Sequence, residues 1–342
     1  MAKSRNAGGP QTATLNDVAE RAGVSLATAS RALNGSNRRV ADSYRQRVEA
    51  AAAELGYTAN LSAQATARGT SAIIALLVAD IADPYFGELA SGVARGADEA
   101  GLIVNIAITE RDAEREVRLV RALRGQRPKG IILAASRATP RVEPELRREL
   151  ELLASVGGRA VAMGVQDDDV RSVIIDNRGG AEALAKALVG RGYRRAVVLA
   201  AADGMVTSDS RLDGFRAGFT ASGGEEPRVY RCAFSREGGM EGMGRALADS
   251  VETGTVVFAI SDVMAIGAMT TIREAGREVG SDIALAGFDD IPTGRDVTPP
   301  LTTVRIPLEE VGYQAFHAAV DEEWVQADGA LQLEVLLRAS TP

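Results

Sequence analysis

The sequence predicts an α/β protein in which a small helical head precedes a body of two doubly wound lobes. Near the N-terminus two short amphipathic helices flank a Gly-Val-Ser turn, whereas from Ser71 onward apolar strands alternate with amphipathic helices. The alternation runs from Ile73 to Met163 and restarts over Val173 to Ala286, which favours two parallel sheets, each covered by helices on both faces. Charge divides at the same point. Residues 1–70 carry nine basic and five acidic side chains, a net charge of +4, and the remainder carries 30 and 41, a net charge of −11.

Length and composition exclude several classes of protein. A chain of 342 residues with 46% hydrophobic and 25% charged residues is typical of a globular protein of two or three domains. No run approaches the ~20 apolar residues of a membrane helix, and no secretory signal is recognisable at the N-terminus, so we expect a cytoplasmic, nucleoid-associated protein without a membrane partner. A single cysteine, Cys232, excludes an internal disulfide, and a single histidine, His317, disfavours zinc and Ser-His-Asp chemistry. We therefore predict no catalytic residue, metal or cofactor.

The head begins with a helix, a tight turn and a second helix. Apolar residues at i, i+3, i+4 and i+7 predict a buried stripe made of Leu15, Val18, Ala19 and Ala22. Gly23 supplies a turn residue with positive φ, and Ser25 is a suitable N-cap for the helix that begins at Leu26. A third helix is expected from Ala41 or Asp42 to Leu55, where Gly56 ends it. These features predict a three-helix bundle of the helix-turn-helix type.

The second helix presents a face suited to DNA. Ala29, Ala32 and Leu33 are expected to point inward, which leaves Leu26, Ala27, Ser30, Arg31 and Asn34 outside. Arg31 can contact a guanine edge with two hydrogen bonds, whereas Leu26 and Ala27 can contact thymine methyl groups. A helical hairpin with structural duties only is the alternative, and the basic charge of the head favours DNA.

The pattern Leu-x-Asp-Val-Ala-x-x-Ala-Gly-Val-Ser-x-x-Thr-x-Ser-Arg-x-Leu-Asn-Gly at positions 15–35 resembles the signature of the lactose/galactose repressor (LacI/GalR) family. The resemblance implies a DNA-binding domain over 1–58, ordered from about residue 13, and a hinge over 59–70 that becomes helical on DNA. In that family a hinge leucine enters the minor groove, but Thr66 occupies its position here and Ala59 replaces the usual proline. The implied DNA-binding residues are Leu15, Ser25, Leu26, Ala27, Thr28, Ser30, Arg31, Asn34, Arg39, Tyr57, Asn60, Ala63, Thr66, Ala67 and Arg68.

The resemblance extends over the body, which is similar to periplasmic sugar-binding proteins. It implies an effector-binding and dimerisation domain over 71–342, with a first lobe of about 71–171 plus 303–330 and a second lobe of about 172–302 plus 331–342. Ligands of such sheets bind beyond the carboxyl ends of the strands, here between the lobes. The implied effector-binding residues are Asp83, Tyr85, Phe86, Asp176, Arg211, Phe234, Ser261 and Asp289. Asp290, next in the chain, is expected to cap a helix instead.

Together with these patterns, the resemblance implies a homodimeric repressor of carbohydrate uptake or catabolism genes. Its expected partners are double-stranded operator DNA with a pseudo-palindromic sequence and a small-molecule effector, a sugar or sugar derivative. Effector binding is expected to close the cleft and to change the order of the hinge. The first lobe near 72–101 should carry part of the dimer contact. One alternative is a solute-binding module that uses the body alone, and another is an α/β enzyme with an appended DNA head.

Overall fold

The computed structural model describes residues 13–34, 40–58, 71–134, 142–164, 170–325 and 330–342. These residues form two compact units, which divide between Ser71 and Ala72. The first unit is helical and the second is α/β, as the sequence predicts.

The head consists of α1 (Leu15–Ala22), α2 (Leu26–Asn34) and α3 (Asp42–Leu55). Its core contains the predicted stripe of α1 and the inward residues of α2, packed against Val48, Ala51 and Ala52 of α3. The helices begin and end where local chemistry dictates. Thr14 and Asp17 form a capping box at the start of α1, and Gly56, with φ 61°, ends α3.

The first lobe is a parallel sheet in the order β2-β1-β3-β4-β5. Alternate residues of β1 face opposite sides of the sheet: Ile74 and Leu76 belong to one apolar cluster, and Ala75 and Leu77 to another. The elements are β1 (Ile73–Val78), α4 (Pro84–Glu99), β2 (Ile103–Ile108), α5 (Ala113–Arg124), β3 (Gly130–Leu133), α6 (Pro144–Ala154), β4 (Arg159–Met163) and β5 (Arg171–Val173).

The second lobe is a parallel sheet in the order β7-β6-β8-β9. Its strands are buried along their whole length, except for β7 at the edge. The elements are α7 (Asn177–Gly190), β6 (Ala196–Ala200), α8 (Val206–Ala221), β7 (Arg228–Arg231), α9 (Arg236–Ala248), β8 (Thr255–Ala259), α10 (Asp262–Glu274), β9 (Ile283–Ala286) and α11 (Thr293–Asp296).

The chain returns to both lobes near its end. Strand β10 (Thr303–Arg305) pairs antiparallel with β11 (Glu334–Leu336), and both pack on α7 of the second lobe. Helix α12 (Leu308–Val320) packs on α4 of the first lobe. The structure thus places 303–305 with the second lobe, a few residues beyond the boundary that the sequence suggested.

One predicted strand is shifted along the chain. The sequence predicted that the second series of strands and helices begins at Val173, but β5 occupies Arg171–Val173 and belongs to the first lobe, across the predicted boundary at 171/172. The prediction followed the apolar residues from Val173 to Ile175, and in the structure Val173 and Ile175 are both buried. The arginine that opens β5 is held by tertiary contacts instead: its guanidinium donates to the carbonyl oxygens of Ala318 and Asp321 at the end of α12.

Helices pack closely where a glycine of one meets the backbone of another. A Cβ at Gly92 of α4 would lie 1.9 Å from the carbonyl oxygen of Glu309, and a Cβ at Gly312 of α12 would lie 2.1 Å from that of Leu89. In the second lobe Gly214 of α8 faces the backbone of α7 in the same way. Three of these helices, α4, α7 and α8, have residues near their N-terminal ends in the wall of the cleft described below.

Candidate DNA-binding surface and effector cleft

The turn between α1 and α2 is fixed from both sides. Gly23 has φ 64° and ψ 43°, and Arg47 of α3 donates from its guanidinium to the carbonyl oxygens of Ala22 and Gly23. The hydroxyl of Ser25 accepts from the backbone N–H of Thr28 at 3.1 Å and lies 2.8 Å from the Thr28 hydroxyl. The predicted positive-φ turn and the N-cap of α2 are therefore confirmed.

The outer face of α2 is open to solvent. Leu26 is 47% exposed, Ala27 and Arg31 are exposed, and Thr28 and Ser30 are half-buried. Arg31 forms no hydrogen bond or ion pair with any described residue, so its guanidinium is available to a ligand. Ala29 and Ala32, in contrast, are buried against α1 and α3. This separation matches the predicted division between an inner and an outer face.

The remaining predicted DNA contacts divide into two groups. Leu15 and Tyr57 are half-buried and pack against the head core, so only part of each side chain is exposed to solvent. The predicted hinge 59–70 lies outside the described residues, and Asn34 is described only as the last residue of α2. The predicted contacts that lie outside the described residues are Arg39, Asn60, Ala63, Thr66, Ala67 and Arg68.

The cleft lies where the parallel strands of the two lobes end. Residues that follow β1 and β2 meet residues from the second lobe around a cavity with about 510 Å³ of empty space, a value that includes its opening to solvent. Small-molecule sites lie at this edge of doubly wound sheets. The sequence analysis assigned eight effector residues to this cleft, and the structure brings six of them to the cavity wall: Asp83, Tyr85, Phe86, Arg211, Phe234 and Asp289.

Arg211 is held rigidly in the wall. Its side chain is 3% exposed, and its Nε donates to Asn177 Oδ1 at 2.8 Å, while Nη1 donates to the Ile260 carbonyl oxygen at 2.7 Å. Nη2 lies 2.8 Å from Asp289 Oδ1, and the guanidinium carbon lies 3.9 Å from the centroid of the Phe288 ring. All three nitrogens thus have protein partners, so Arg211 is preorganised and largely neutralised by its neighbours.

Asp289 combines an ion pair with an unusual backbone. Its φ of 119° lies in a region that L-residues rarely adopt, and such conformations concentrate at functional sites. Asp289 Oδ1 lies 2.8 Å from Arg211 Nη2 and is therefore ion-paired, although it accepts no well-aligned hydrogen bond. Burial raises the pKa of the Asp289 carboxyl to about 7, against the opposing effect of Arg211.

The first lobe contributes the loop after β1. Asp83 caps α4, because its Oδ1 accepts from the backbone N–H of Tyr85 at 3.0 Å, and burial raises the pKa of its carboxyl. The rings of Tyr85 and Phe86 meet edge to face, with their centroids 5.0 Å apart. The predicted loop therefore supplies one carboxyl group and two aromatic rings to the wall.

Arg111 lies opposite Phe234 and was not predicted. It follows β2 in the first lobe, and its guanidinium carbon lies 4.8 Å from the centroid of the Phe234 ring, which belongs to the second lobe. Arg111 Nε is buried and has no hydrogen-bond partner, and burial lowers the pKa of the guanidinium. Its position just after a parallel strand is the signal that would have identified it, since side chains there meet at the ligand-binding edge.

Further lining residues also escaped the sequence analysis. Asn177 orients Arg211, and Thr207 lies at the start of α8. Both stand near the beginnings of helices that follow strands, and no local pattern distinguishes them from ordinary capping residues. Apolar and small residues complete the wall: Ala134, Met163, Gly164 and Ile175.

Two predicted effector residues do not line this cavity. Ser261 is 1% exposed and caps α10, where its hydroxyl accepts from the Met264 N–H at 3.5 Å. Asp176 caps α7 in the same way, with its Oδ1 2.8 Å from the Gly179 N–H. Both side chains are used to begin helices around the cleft, so the structure gives them a positioning role instead of a place on the wall.

Asp290 does not cap a helix, and that expectation is wrong. Its side chain is 1% exposed and accepts from the guanidinium groups of Arg295, Arg305 and Arg338. Burial raises its pKa, but the hydrogen bonds from these arginines outweigh burial and lower the pKa overall. The carboxylate therefore connects the loop after β9 to β10 and to the C-terminal segment.

Two absences concern the described residues only. Among them, no group of three or more His, Cys, Asp or Glu side chains is arranged to hold a metal ion. None of the helices over the described ranges is both long and apolar enough to cross a membrane.

Family models match both parts of the chain. Residues 14–60 match the model of the bacterial regulatory proteins of the lacI family, and residues 185–339 match that of the periplasmic binding protein-like domain.

Characterised proteins resemble the chain over most of its length. It is 32% identical to the HTH-type transcriptional regulator DegA of Bacillus subtilis, with 90% of each chain covered. It is 33% identical to the regulator CelR of Thermobifida fusca, covering 90% of this chain and 91% of CelR, and 30% identical to the repressor CytR of Escherichia coli, covering 96% of each. The curated relatives are thus transcriptional regulators.

Solved structures share the fold. The Lac repressor dimer bound to operator and the anti-inducer ONPF superposes with a TM-score of 0.80 at 26% identity, covering 97% of this chain and 99% of that one. The CelR–cellobiose complex superposes with a TM-score of 0.67 at 29% identity, covering 96% and 99%.

Proposed function

Since the chain belongs to the LacI family of bacterial regulatory proteins, we propose that it represses genes of carbohydrate uptake or catabolism under the control of a sugar or sugar derivative. The family assignment makes it a DNA-binding transcriptional regulator. The observation that carries the effector proposal is the cleft, where three protein partners fix Arg211, and where Asp289 and the ring of Phe234 also line the wall. Polyols need such a pairing of fixed donors and acceptors next to an aromatic ring.

The proposed DNA contact is the outer face of α2. Arg31 is exposed and unpaired among the described residues, and Leu26 and Ala27 flank it with small apolar surface. Such a face enters the major groove and distinguishes base edges. We infer that the protein acts in the cytoplasm, where its DNA is, and that it works by binding and not by catalysis.

We also propose a homodimer on a pseudo-palindromic operator. The Lac repressor structure is a dimer on its operator, and a two-fold axis requires matched half-sites. The first lobe offers a surface for this contact: no described strand pairs with the outer side of β2, and Ile103 and Ile106 on that strand are 51% and 45% exposed. An exposed apolar edge strand favours association.

The DNA proposal is tested by operator binding. DNA fragments selected by the wild-type protein from a random pool define the operator, and fluorescence anisotropy then measures affinity. Arg31→Ala should weaken specific binding by about 5–150-fold, which corresponds to the ~1–3 kcal/mol of one bidentate base contact. Arg118→Ala on α5, an exposed arginine of the body, is the matched control and should bind normally. Unchanged operator affinity in Arg31→Ala would exclude α2 as the recognition helix.

The effector proposal is tested by thermal stability. A cleft ligand at 100 times its Kd stabilises the folded protein by about 2.7 kcal/mol and raises the Tm. A panel of sugars, sugar acids and sugar phosphates should contain compounds that raise the Tm and change operator affinity. If no member does either, sugar control is wrong, whereas loss of operator binding in Arg31→Ala would still support the DNA-binding role.

A further inference from the structure

We propose that Arg111 binds an acidic group of the effector, so that the effector is an anionic sugar derivative carrying a carboxylate or a phosphate. This inference rests on the proposed sugar control of the same cleft and specifies its ligand class. It depends on a difference between the two arginines in the wall: every guanidinium nitrogen of Arg211 has a protein partner, whereas Nε of Arg111 has none.

Arg211 cannot supply the charge that an acid needs. Its Nε, Nη1 and Nη2 are engaged by Asn177, the Ile260 carbonyl and Asp289, and the last of these also balances its charge. An anion placed against Arg211 would compete with a buried carboxylate that is already there. The Arg211–Asp289 pair therefore suits neutral hydroxyl groups.

Arg111 has the opposite character. It forms no ion pair with any described residue, although it lies in the electrostatic range of Asp80 and Asp83, and its buried Nε has no hydrogen-bond partner. Its one described side-chain partner is the face of the Phe234 ring, 4.8 Å away, which leaves the edges of the guanidinium free. The side chain as a whole is half-buried, and a buried N–H such as that of Nε is costly unless an acceptor reaches it. A carboxylate or phosphate satisfies both the charge and the paired N–H groups, whereas a hydroxyl satisfies only one donor.

The backbone holds Arg111 in this position at a cost. Glu110 and Arg111 have φ values of 56° and 58°, two successive residues in the left-handed region. The hydroxyl of Thr109 fixes the loop, since it donates to the Val78 carbonyl oxygen at 3.2 Å and accepts from the Arg111 N–H at 3.3 Å. Backbone strain of this kind persists where the surrounding structure and a function require it.

Arg111 also joins the two lobes. It comes from the first lobe, and the Phe234 ring that it contacts comes from the loop after β7 in the second. An acidic effector on Arg111 would therefore lie in a cavity that residues of both lobes line. Contact across the cleft is the condition for a ligand to favour one lobe arrangement over another.

Calorimetry with the full-length protein separates the ligand classes. The probes are gluconate, glucuronate and glucose 6-phosphate, compared with glucose and cellobiose as neutral sugars. We expect at least one acidic probe to bind about tenfold or more tightly than glucose. Carboxylate probes and the phosphate probe then show which oxyanion the site prefers.

Variants connect the preference to the residue. Arg111→Met should weaken binding of the preferred acid by about 10–100-fold, the value of a hydrogen-bonded charge, and change binding of neutral sugars less than threefold. Arg111→Gln serves as a second variant that keeps polarity, and Arg118→Met is the control for removal of a body arginine. Circular dichroism and Tm establish that each variant is folded.

Each outcome decides the proposal. Acid-selective binding that Arg111→Met abolishes supports it. Neutral sugars binding more tightly than every acid, or equal losses for both classes in Arg111→Met, would overturn the inference while leaving sugar control intact. Failure of all probes, acidic and neutral, would overturn it together with the proposed sugar control.

Discussion

Replacing Arg211 with methionine should destabilise the second lobe by about 3–5 kcal/mol, because it leaves Asp289 buried and unpaired. The structure supports a value in the upper part of this range. Arg211 and Asp289 have side chains that are 3% and 5% exposed, and the substitution also removes the hydrogen bonds to Asn177 and the Ile260 carbonyl oxygen. Methionine recovers part of the packing against Phe288.

A double variant separates the ion pair from the packing. Asp289→Asn removes the charge that Arg211 would leave behind, so Arg211→Met with Asp289→Asn should be more stable than Arg211→Met alone. Hydrogen exchange of the β6 and β8 amides reports the stability of this lobe directly, without requiring two-state unfolding of the whole chain. Arg178→Met, an exposed arginine on α7, is the control. Equal destabilisation of the single and double variants would refute the pairing argument.

Three further outcomes follow from the packing, the pKa values and the hinge sequence. Gly92→Ala should lower the stability of the first lobe by more than about 2 kcal/mol, since its Cβ would strike the backbone of Glu309, whereas Gly87→Ala on the same helix meets nothing within 4 Å and should be neutral or slightly stabilising in Tm measurements. Because the pKa of Asp289 is raised from 3.8 to about 7, its contribution to stability is fully present below pH 3.8 and is lost as the pH rises to about 7. Over that pH interval, denaturation curves should show the free energy of unfolding of Asp289→Asn rising relative to that of the wild type. A difference that stays constant with pH would contradict the shift. Thr66→Leu should tighten operator binding in anisotropy assays if the hinge enters the minor groove, and unchanged affinity would argue for another hinge contact.

The head was predictable because its determinants are local. The stripe of α1 repeats within one helix, and the turn depends on a single glycine with positive φ. Ser25 caps the helix that begins at the next residue. Each of these features involves residues only a few positions apart, so periodicity and capping chemistry suffice to identify them.

The cleft was predictable in position but not in chemistry. Parallel strands that end at one edge, together with the family resemblance, led to Arg211, Asp289 and Phe234, which all reach the wall. Ser261 and Asp176 instead begin helices, because a polar residue after a strand can serve either purpose and the local sequence is the same for both.

Sequence alone determined the helix-turn-helix head, the alternation of strands and helices, and the edge of the sheets where a ligand would bind. Only the tertiary structure decided which charged side chains form ion pairs within the protein. Arg211 is matched by Asp289, Asp290 by three arginines, and Arg111 is left facing an aromatic ring. The physical reason is that pairing depends on distances between residues far apart in the chain. Periodicity carries no information about which distant side chains will meet.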